Sequence, residues 1–256
     1  MNIRNTLLGC TTALMALAGV AQADTVRIGI AAEPYPPFAA PTASGEWEGW
    51  EVEIISAVCA AAELDCEIVP VAWDGIIPSL TGNQIDAIMA SMSITDERLQ
   101  TIDFSDPYYN TPSVIVADIS ADFDASPAGL AGKILGVQAS TTHQSYAQSY
   151  FIDSEIRIYQ TQDEANQDLV AGRIDATQAD SLAMVDFIAS DMGGCCKIVG
   201  PVAHDNAILG LGIGAGVRKG DAELLAALNV GIAAIIANGT HAEITSRYFT
   251  SSILAE

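Results

Sequence analysis

LTGNQIDAIMAS, residues 80–91, and LVAGRIDATQAD, residues 169–180, share one order of features: the end of an apolar helical pattern, a glycine, then Ile-Asp-Ala entering a strand pattern. Helix–glycine–strand junctions are common, so the echo gains its weight from what surrounds each copy. Upstream of the first copy, Thr25–Ile30 reads as a strand, Val52–Ala62 as a helix, Glu67–Val71 as a strand and Ile76–Leu80 as a short helix that Gly82 ends. Ile85–Ala90 then reads as a buried strand. The rhythm restarts after Thr111-Pro112: strand 134–137, helix Thr142–Tyr150, strand Glu155–Tyr159, helix 163–171, strand 174–177 and helix Ser181–Ala189. Alternating strands and helices of this length give α/β architecture with a mostly parallel sheet, and the repeat predicts two similar lobes. Crossovers near residues 112 and 207 would leave a cleft between the lobes, at the carboxyl ends of strands where ligands of such sheets bind.

Composition narrows the function. Half of the 256 residues are hydrophobic, enough for a substantial core. Ten Lys and Arg stand against 32 Asp and Glu, a net charge of −22, which repels nucleic acid and anionic membrane surfaces alike. The first residues, MNIRNTLLGCTTALMALAGVAQAD, have a basic start at Arg4, an apolar stretch from Leu7 to Val20 and small residues at Ala21-Gln22-Ala23. That is the pattern of a secretory signal cleaved after Ala23; a lipoprotein reading at Cys10 conflicts with the apolar stretch running on past it. No later stretch has the roughly 20 apolar residues of a membrane span. Export changes the meaning of cysteine. Cys59 and Cys66 fall at a helix end and a strand start, where a disulfide staple or, with no His or further Cys nearby, a less well supplied metal site could form. The adjacent Cys195 and Cys196 could close a strained ring or stay free.

Three loops that follow strands hold the polar chemistry. In the first, Ser91, Ser93 and Thr95 precede Arg98, so hydroxyls and backbone groups can share a ligand with a guanidinium that matches a carboxylate through two parallel hydrogen bonds. A surface pair with Asp96 or Glu97 would use Arg98 differently. The second, Gln138 to Thr142, lies between a strand and a helix, whose free N–H groups attract anions and whose Ser or Thr can equally serve as caps. The third ends in Asp180, either the cap of helix Ser181–Ala189 or an acceptor for an ammonium group. An anion clamp and a cation acceptor together imply a zwitterion. Glycine-rich Ala207–Val217 reads as strand and crossover; its Gly212, Gly214 and Gly216 lack the context of a dinucleotide fingerprint, and no cofactor is expected.

The blocks VRIGIAAEPYPPF, GWEVEIISAVC, WDGIIPSLTGNQIDAIMASMSITDERLQTIDFSDPYY, GVQASTTHQSY, AGRIDATQAD and GVRKGDAELLAALN span nearly the whole chain beyond the signal. Their sequence resembles the amino-acid-binding periplasmic proteins of ABC importers, the group of lysine/arginine/ornithine- and histidine-binding proteins. The resemblance implies a two-lobe periplasmic-binding-protein fold, with residues 24–112 and 207–256 in one lobe and 113–206 inserted as the other. It implies that Arg98 holds a ligand α-carboxylate with the N–H groups of Ser93 and Thr142. Asp180, the Ser93 hydroxyl and the Ser91 carbonyl would hold the α-ammonium. Tyr35 and Trp73 would surround the ligand side chain, and Cys59 and Cys66 would form the family's disulfide. The chain departs from the basic-amino-acid binders at Ala32, where they carry an aspartate, leaving Glu33 as the nearby acid; Ala90, Gln138 and His143 also differ. The implied partners are an amino acid and a membrane permease, for a chain that acts as a monomer. The competing expectation is an enzyme on the same scaffold, a prephenate or arogenate dehydratase, for which Glu33 and His143 would be the acid–base candidates.

Overall fold

A computed structural model of the chain describes residues 25–254. The expected signal segment, residues 1–23, lies outside them. Two five-stranded sheets dominate. In spatial order the first holds strands Cys66–Val71, Val26–Ala31, Ala87–Ile88, Gly216–Arg218 and Ile102–Phe104. The second holds Glu155–Tyr159, Ile134–Gln138, Ala176–Asp180, Ser113–Asp118 and Cys196–Pro201. Both follow one plan: two parallel pairings, then two antiparallel ones. The parallel part is the βαβ rhythm legible in the sequence. The antiparallel part arises because Ser113–Asp118 and Gly216–Arg218 each arrive from the other sheet, free of the crossover helix that forces strands parallel.

The two Ile-Asp-Ala segments turn out to be the same device, used once in each sheet. Asp86 accepts the Arg27 N–H (3.1 Å) through Oδ2 while its own N–H donates to the Arg27 carbonyl (2.8 Å). Asp175 accepts the Ile134 N–H (2.7 Å) and donates its own to the Ile134 carbonyl (2.9 Å). Each aspartate thus closes the open start of the strand second in its sheet's order, Val26–Ala31 or Ile134–Gln138, where a backbone N–H would otherwise lack a partner within the sheet. The isoleucine before it packs onto a glycine of the same strand: a Cβ added to Gly29 would sit 2.3 Å from Cδ1 of Ile85, and one on Gly136 2.6 Å from Cδ1 of Ile174. In each copy the residue two before the isoleucine is left-handed, Asn83 (φ 58°) and Gly172 (φ 67°). In the first copy it is therefore Asn83, one residue after the expected Gly82, that makes the turn.

Helices Thr142–Tyr150 and Ser181–Ala189 have the bounds expected from the sequence, and a further long helix runs over Ala222–Ala237. Helix Trp50–Ala61 packs on Ala222–Ala237 and buries Ile54, Ile55 and Val58, a gross transfer gain of about 1.5–3 kcal/mol per side chain, while Trp50 is buried among Tyr108, Tyr109, His241 and Phe249. A disulfide joins Cys59 at its end to Cys66 at the start of the next strand. Elsewhere the bounds move. Of the strand expected over 85–90 only Ala87–Ile88 pairs, because Asp86 is occupied in capping, and the strand expected over 174–177 runs from Ala176 to Asp180 for the same reason. The glycine-rich stretch yields a short helix, Asn206–Leu209, which packs on helix Thr142–Tyr150 of the second sheet, so the chain returns to the first sheet beyond Gly210. The two crossing segments lie side by side: Tyr108 N–H donates to the Ile213 carbonyl and Ile213 N–H to the Tyr109 carbonyl, each at 2.9 Å.

Asp86 also accepts from the Arg27 Nε (2.9 Å) and an Arg218 Nη2 (3.2 Å), and these bonds hold its carboxyl below the usual carboxylate range. Stability from such a group is present above the unfolded carboxyl pKa and lost as pH falls through the lower folded value. Asp86→Asn is expected to cost about 1–2 kcal/mol at pH 7, with the difference from the parent chain narrowing in acid; urea unfolding at pH 7 and in the acid range measures both.

Candidate functional site

The expected site residues meet in one cleft between the sheets, which encloses about 720 Å³ of space in part open to solvent. Glu33, Tyr35, Trp73, Ser91, Ser93 and Arg98 line it from the first sheet's side; Gln138, Thr142 and Asp180 line it from the second's. His143 joins them.

Arg98 stands in the four-residue helix Asp96–Leu99, which Thr95 caps by accepting the Arg98 N–H (3.2 Å). Its side chain forms no ion pair with Asp96 or Glu97. Nη1 donates to the Ser93 carbonyl (2.9 Å), Nη2 lies 3.5 Å from the Ser140 carbonyl, and the guanidinium sits over the Trp73 ring at 5.6 Å. Arg27, Arg157, Arg173, Arg218 and Arg247 each pair with a carboxylate; Arg98 pairs with none among the described residues. Burial pushes its pKa down to about 10, against the opposing pull of Glu97 and Asp180, so it remains a cation at neutral pH. The surface ion pair allowed by the sequence is not what forms.

Across the cleft, Asp180 occupies the cap position of helix Ser181–Ala189 without accepting a bond from it. Its oxygens face the cleft: Oδ2 accepts from the Tyr35 hydroxyl (2.8 Å) and Oδ1 lies 3.6 Å from His143 Nε2. Burial, and then the charge on Asp180, raise the Tyr35 phenol well above its ordinary range. The proline-rich loop holds Tyr35 stacked on Phe38. Thr142 opens helix Thr142–Tyr150, whose cap is Thr141, accepting from Gln144 N–H at 3.2 Å. That helix N-terminus and its N–H groups border the cleft. Trp73 reaches over from the first side and donates its indole N–H to the Ser140 carbonyl (3.2 Å). Glu33 borders the cleft too, with both oxygens near the Trp73 N–H (3.0 and 3.3 Å), so it holds the Trp73 turn. Gln138 is buried and donates to the Gln160 carbonyl (3.3 Å).

Glu51 is the site residue that sequence reasoning missed. Its carboxylate is buried at the cleft floor and accepts from the Ser91 N–H and hydroxyl, both 2.9 Å, and from the Tyr108 hydroxyl. Burial raises its pKa despite these bonds. Ser91 is left-handed (φ 53°), a conformation that costs a side-chain-bearing residue about 1–2 kcal/mol and here is pinned by Glu51. A signal for Glu51 was present: with Ile54, Ile55 and Val58 at +3, +4 and +7 it lies on the apolar stripe of its helix. Ser140 and Thr141 flank the cleft within the loop expected there, and Gln162 lines it without having been expected. Among the described residues no cluster of three or more His, Cys, Asp or Glu is placed to hold a metal ion.

Residues 26–251 match the bacterial extracellular solute-binding proteins, family 3. The chain belongs to that family. Its relatives within family 3 include an L-arginine-binding protein of Pseudomonas aeruginosa, 40% identical over 94% of this chain and 93% of that protein. A histidine-binding periplasmic protein of Salmonella typhimurium is 36% identical, over 95% and 94%. Among solved structures, an ancestral arginine-binding protein bound to arginine has a TM-score of 0.80 at 31% identity, covering 88% of this chain and 98% of that one. The two-lobe family fold accounts for the twin sheets and the cleft between them.

Replacing Glu51 by Ala leaves the Ser91 N–H and hydroxyl and the Tyr108 hydroxyl without their buried acceptor, and is expected to destabilise the fold by about 3 kcal/mol. Denaturant unfolding of Glu51→Ala beside Glu53→Ala, which removes a half-exposed acid of the same helix turn paired with Arg247 and Tyr248, sets the loss of the buried acceptor against the loss of a surface one.

Proposed function

We propose that the chain is an exported solute receptor that closes its two lobes on an α-amino acid and hands it to an ABC permease in the membrane. The observation that carries this reading is the pair of opposite charges across the cleft: a buried guanidinium without a carboxylate partner among the described residues, and a cleft-facing Asp180 that its own helix leaves uncapped. A zwitterion fits between them, its carboxylate on Arg98 and the Thr142 helix end, its ammonium on Asp180 and the Ser91–Ser93 loop. Such a ligand contacts both lobes at once, and a ligand shifts an open–closed equilibrium only by what it gains in the closed state. Trp73 and Tyr35 supply apolar walls for the rest of the ligand. Glu33 and Glu51 make the cleft acidic beyond the clamp, which favours polar or cationic side chains, in line with the arginine and histidine in the relatives' names.

The dehydratase alternative finds less support. Its acid–base candidates are engaged elsewhere: Glu33 with the Trp73 N–H, His143 between Ser113 Oγ (3.1 Å) and Asp180. Incubation with prephenate is expected to yield no phenylpyruvate; production of it at an enzymatic rate would overturn the receptor reading.

Replacing Arg98 by Ala is expected to weaken binding by about 3–4 kcal/mol, two to three orders of magnitude in Kd, while circular dichroism stays unchanged. Isothermal titration with whichever of the twenty amino acids raises the melting temperature most gives the reference. Its decarboxylated amine should fail equally with either protein, since it lacks the group that Arg98 holds. An unchanged Kd in Arg98→Ala would remove the clamp.

A further inference from the structure

Cys195 and Cys196 take no part in the cleft, yet their sulfurs lie 3.1 Å apart. They are the two described cysteines outside the Cys59–Cys66 disulfide. Cys195 ends a single 3-10 turn, Gly193–Cys195, and is half-exposed; Cys196 is buried and opens strand Cys196–Pro201. The preceding Gly193 and Gly194 give that turn backbone freedom that most residues would not. From the sulfur contact, the unequal exposure and the glycine turn, we infer that Cys195 and Cys196 are a thiol–disulfide exchange site, which an oxidising disulfide converts reversibly into a vicinal Cys195–Cys196 disulfide.

The chemistry balances in two steps. The accessible Cys195 thiolate, its proton given to water, attacks one sulfur of a disulfide reagent; that S–S bond breaks, a thiolate leaves and a mixed disulfide forms on Cys195. Cys196 then loses its proton and attacks the Cys195 sulfur, closing the ring and releasing the second thiolate. The two thiolates take up the two protons, so the reagent is reduced to two thiols by the two electrons the cysteines give up. Burial, followed by the hydrogen bond to Cys195, pushes the Cys196 thiol up to about 12, which assigns the first attack to Cys195. The second step is then helped by proximity, since the partner sulfur is already in contact.

The ring it forms is a labile one. Neighbouring Cα atoms across a trans peptide stand about 3.8 Å apart, below the range of about 4.4–6.8 Å that unstrained disulfides span, and strain makes a disulfide easier to reduce. Cys59 and Cys66, by contrast, have Cα atoms 6.3 Å apart. The site is also remote from the cleft. Cys196 pairs with Asp118 at one end of strand Ser113–Asp118, whereas Ser113 at the other end touches His143. Closing the ring should therefore leave ligand affinity as it was.

The test uses the exported chain equilibrated in glutathione buffers of graded oxidation, then alkylated and digested with trypsin. Residues 174–197 form one peptide whose sole cysteines are this pair. After oxidation it should be lighter by two hydrogens and resist alkylation. On reduction it should open at a glutathione ratio at least tenfold more oxidising than the Cys59–Cys66 peptide requires, about 30 mV for a two-electron couple. Cys196→Ser should accumulate a glutathione adduct on Cys195, and Cys195→Ser should react at least tenfold more slowly. A peptide that remains fully alkylated where Cys59–Cys66 is closed would overturn the inference, as would a link between two chains or an adduct that never resolves in the parent protein. Because every readout is sulfur chemistry, the result stands whatever the cleft binds.

Discussion

A guanidinium in the cleft that the protein's own carboxylates leave alone sets the terms for the rest of the molecule. Desolvating a guanidinium is expensive, and elsewhere in this chain each described arginine is matched by an acid. Arg98 is instead held by carbonyl oxygens and an indole face, groups that orient it and soften its desolvation without cancelling its charge. With 32 acids on the chain, pairing it would have been easy. The local sequence prevents this by turning Asp96 and Glu97 outward on a four-residue helix whose cap, Thr95, fixes the direction of Arg98.

Everything around Arg98 serves to hold that geometry still. Glu51 keeps the Ser91 loop in a conformation it would not adopt alone, and Tyr108, from the segment that leads to the first crossover, secures Glu51. The floor of the cleft and the hinge region are therefore one hydrogen-bonded unit. The opposite wall is simpler, a helix start and an aspartate that accepts no bond from the helix it precedes.

Much of this was legible in the sequence, and the failures have physical causes. The Ile-Asp-Ala echo carried more information than its length suggested, because each copy fills the same mechanical role against a glycine of the neighbouring strand. Helices Thr142–Tyr150 and Ser181–Ala189 were read to the residue, while those expected over Val52–Ala62 and 163–171 begin one or two residues earlier. Strands Ser113–Asp118 and Cys196–Pro201 escaped, the first because it follows a Thr-Pro break, the second because Gly and Pro obscure its pattern. Both are antiparallel additions that no βαβ rhythm announces. The residues proposed as the clamp could be placed on the cleft from loop chemistry and family resemblance together. Glu51 could not, since an acid near a helix start is usually a solvated partner of the helix dipole, and only its phase on the apolar stripe argues otherwise.

The indole of Trp73 gives the molecule an optical gauge of its own shape. Its N–H bonds to Ser140 on the far side of the cleft, so any separation of the lobes must break that bond. Trp50 is sealed in the core of the first lobe and bonded to Thr245, and Trp47 lies in a small hairpin of that same lobe, so neither spans the cleft. Of the chain's three tryptophans, then, one changes its surroundings as the lobes part while the other two supply a constant background. A change in emission when ligand is added to the unlabelled protein would therefore be assigned to Trp73.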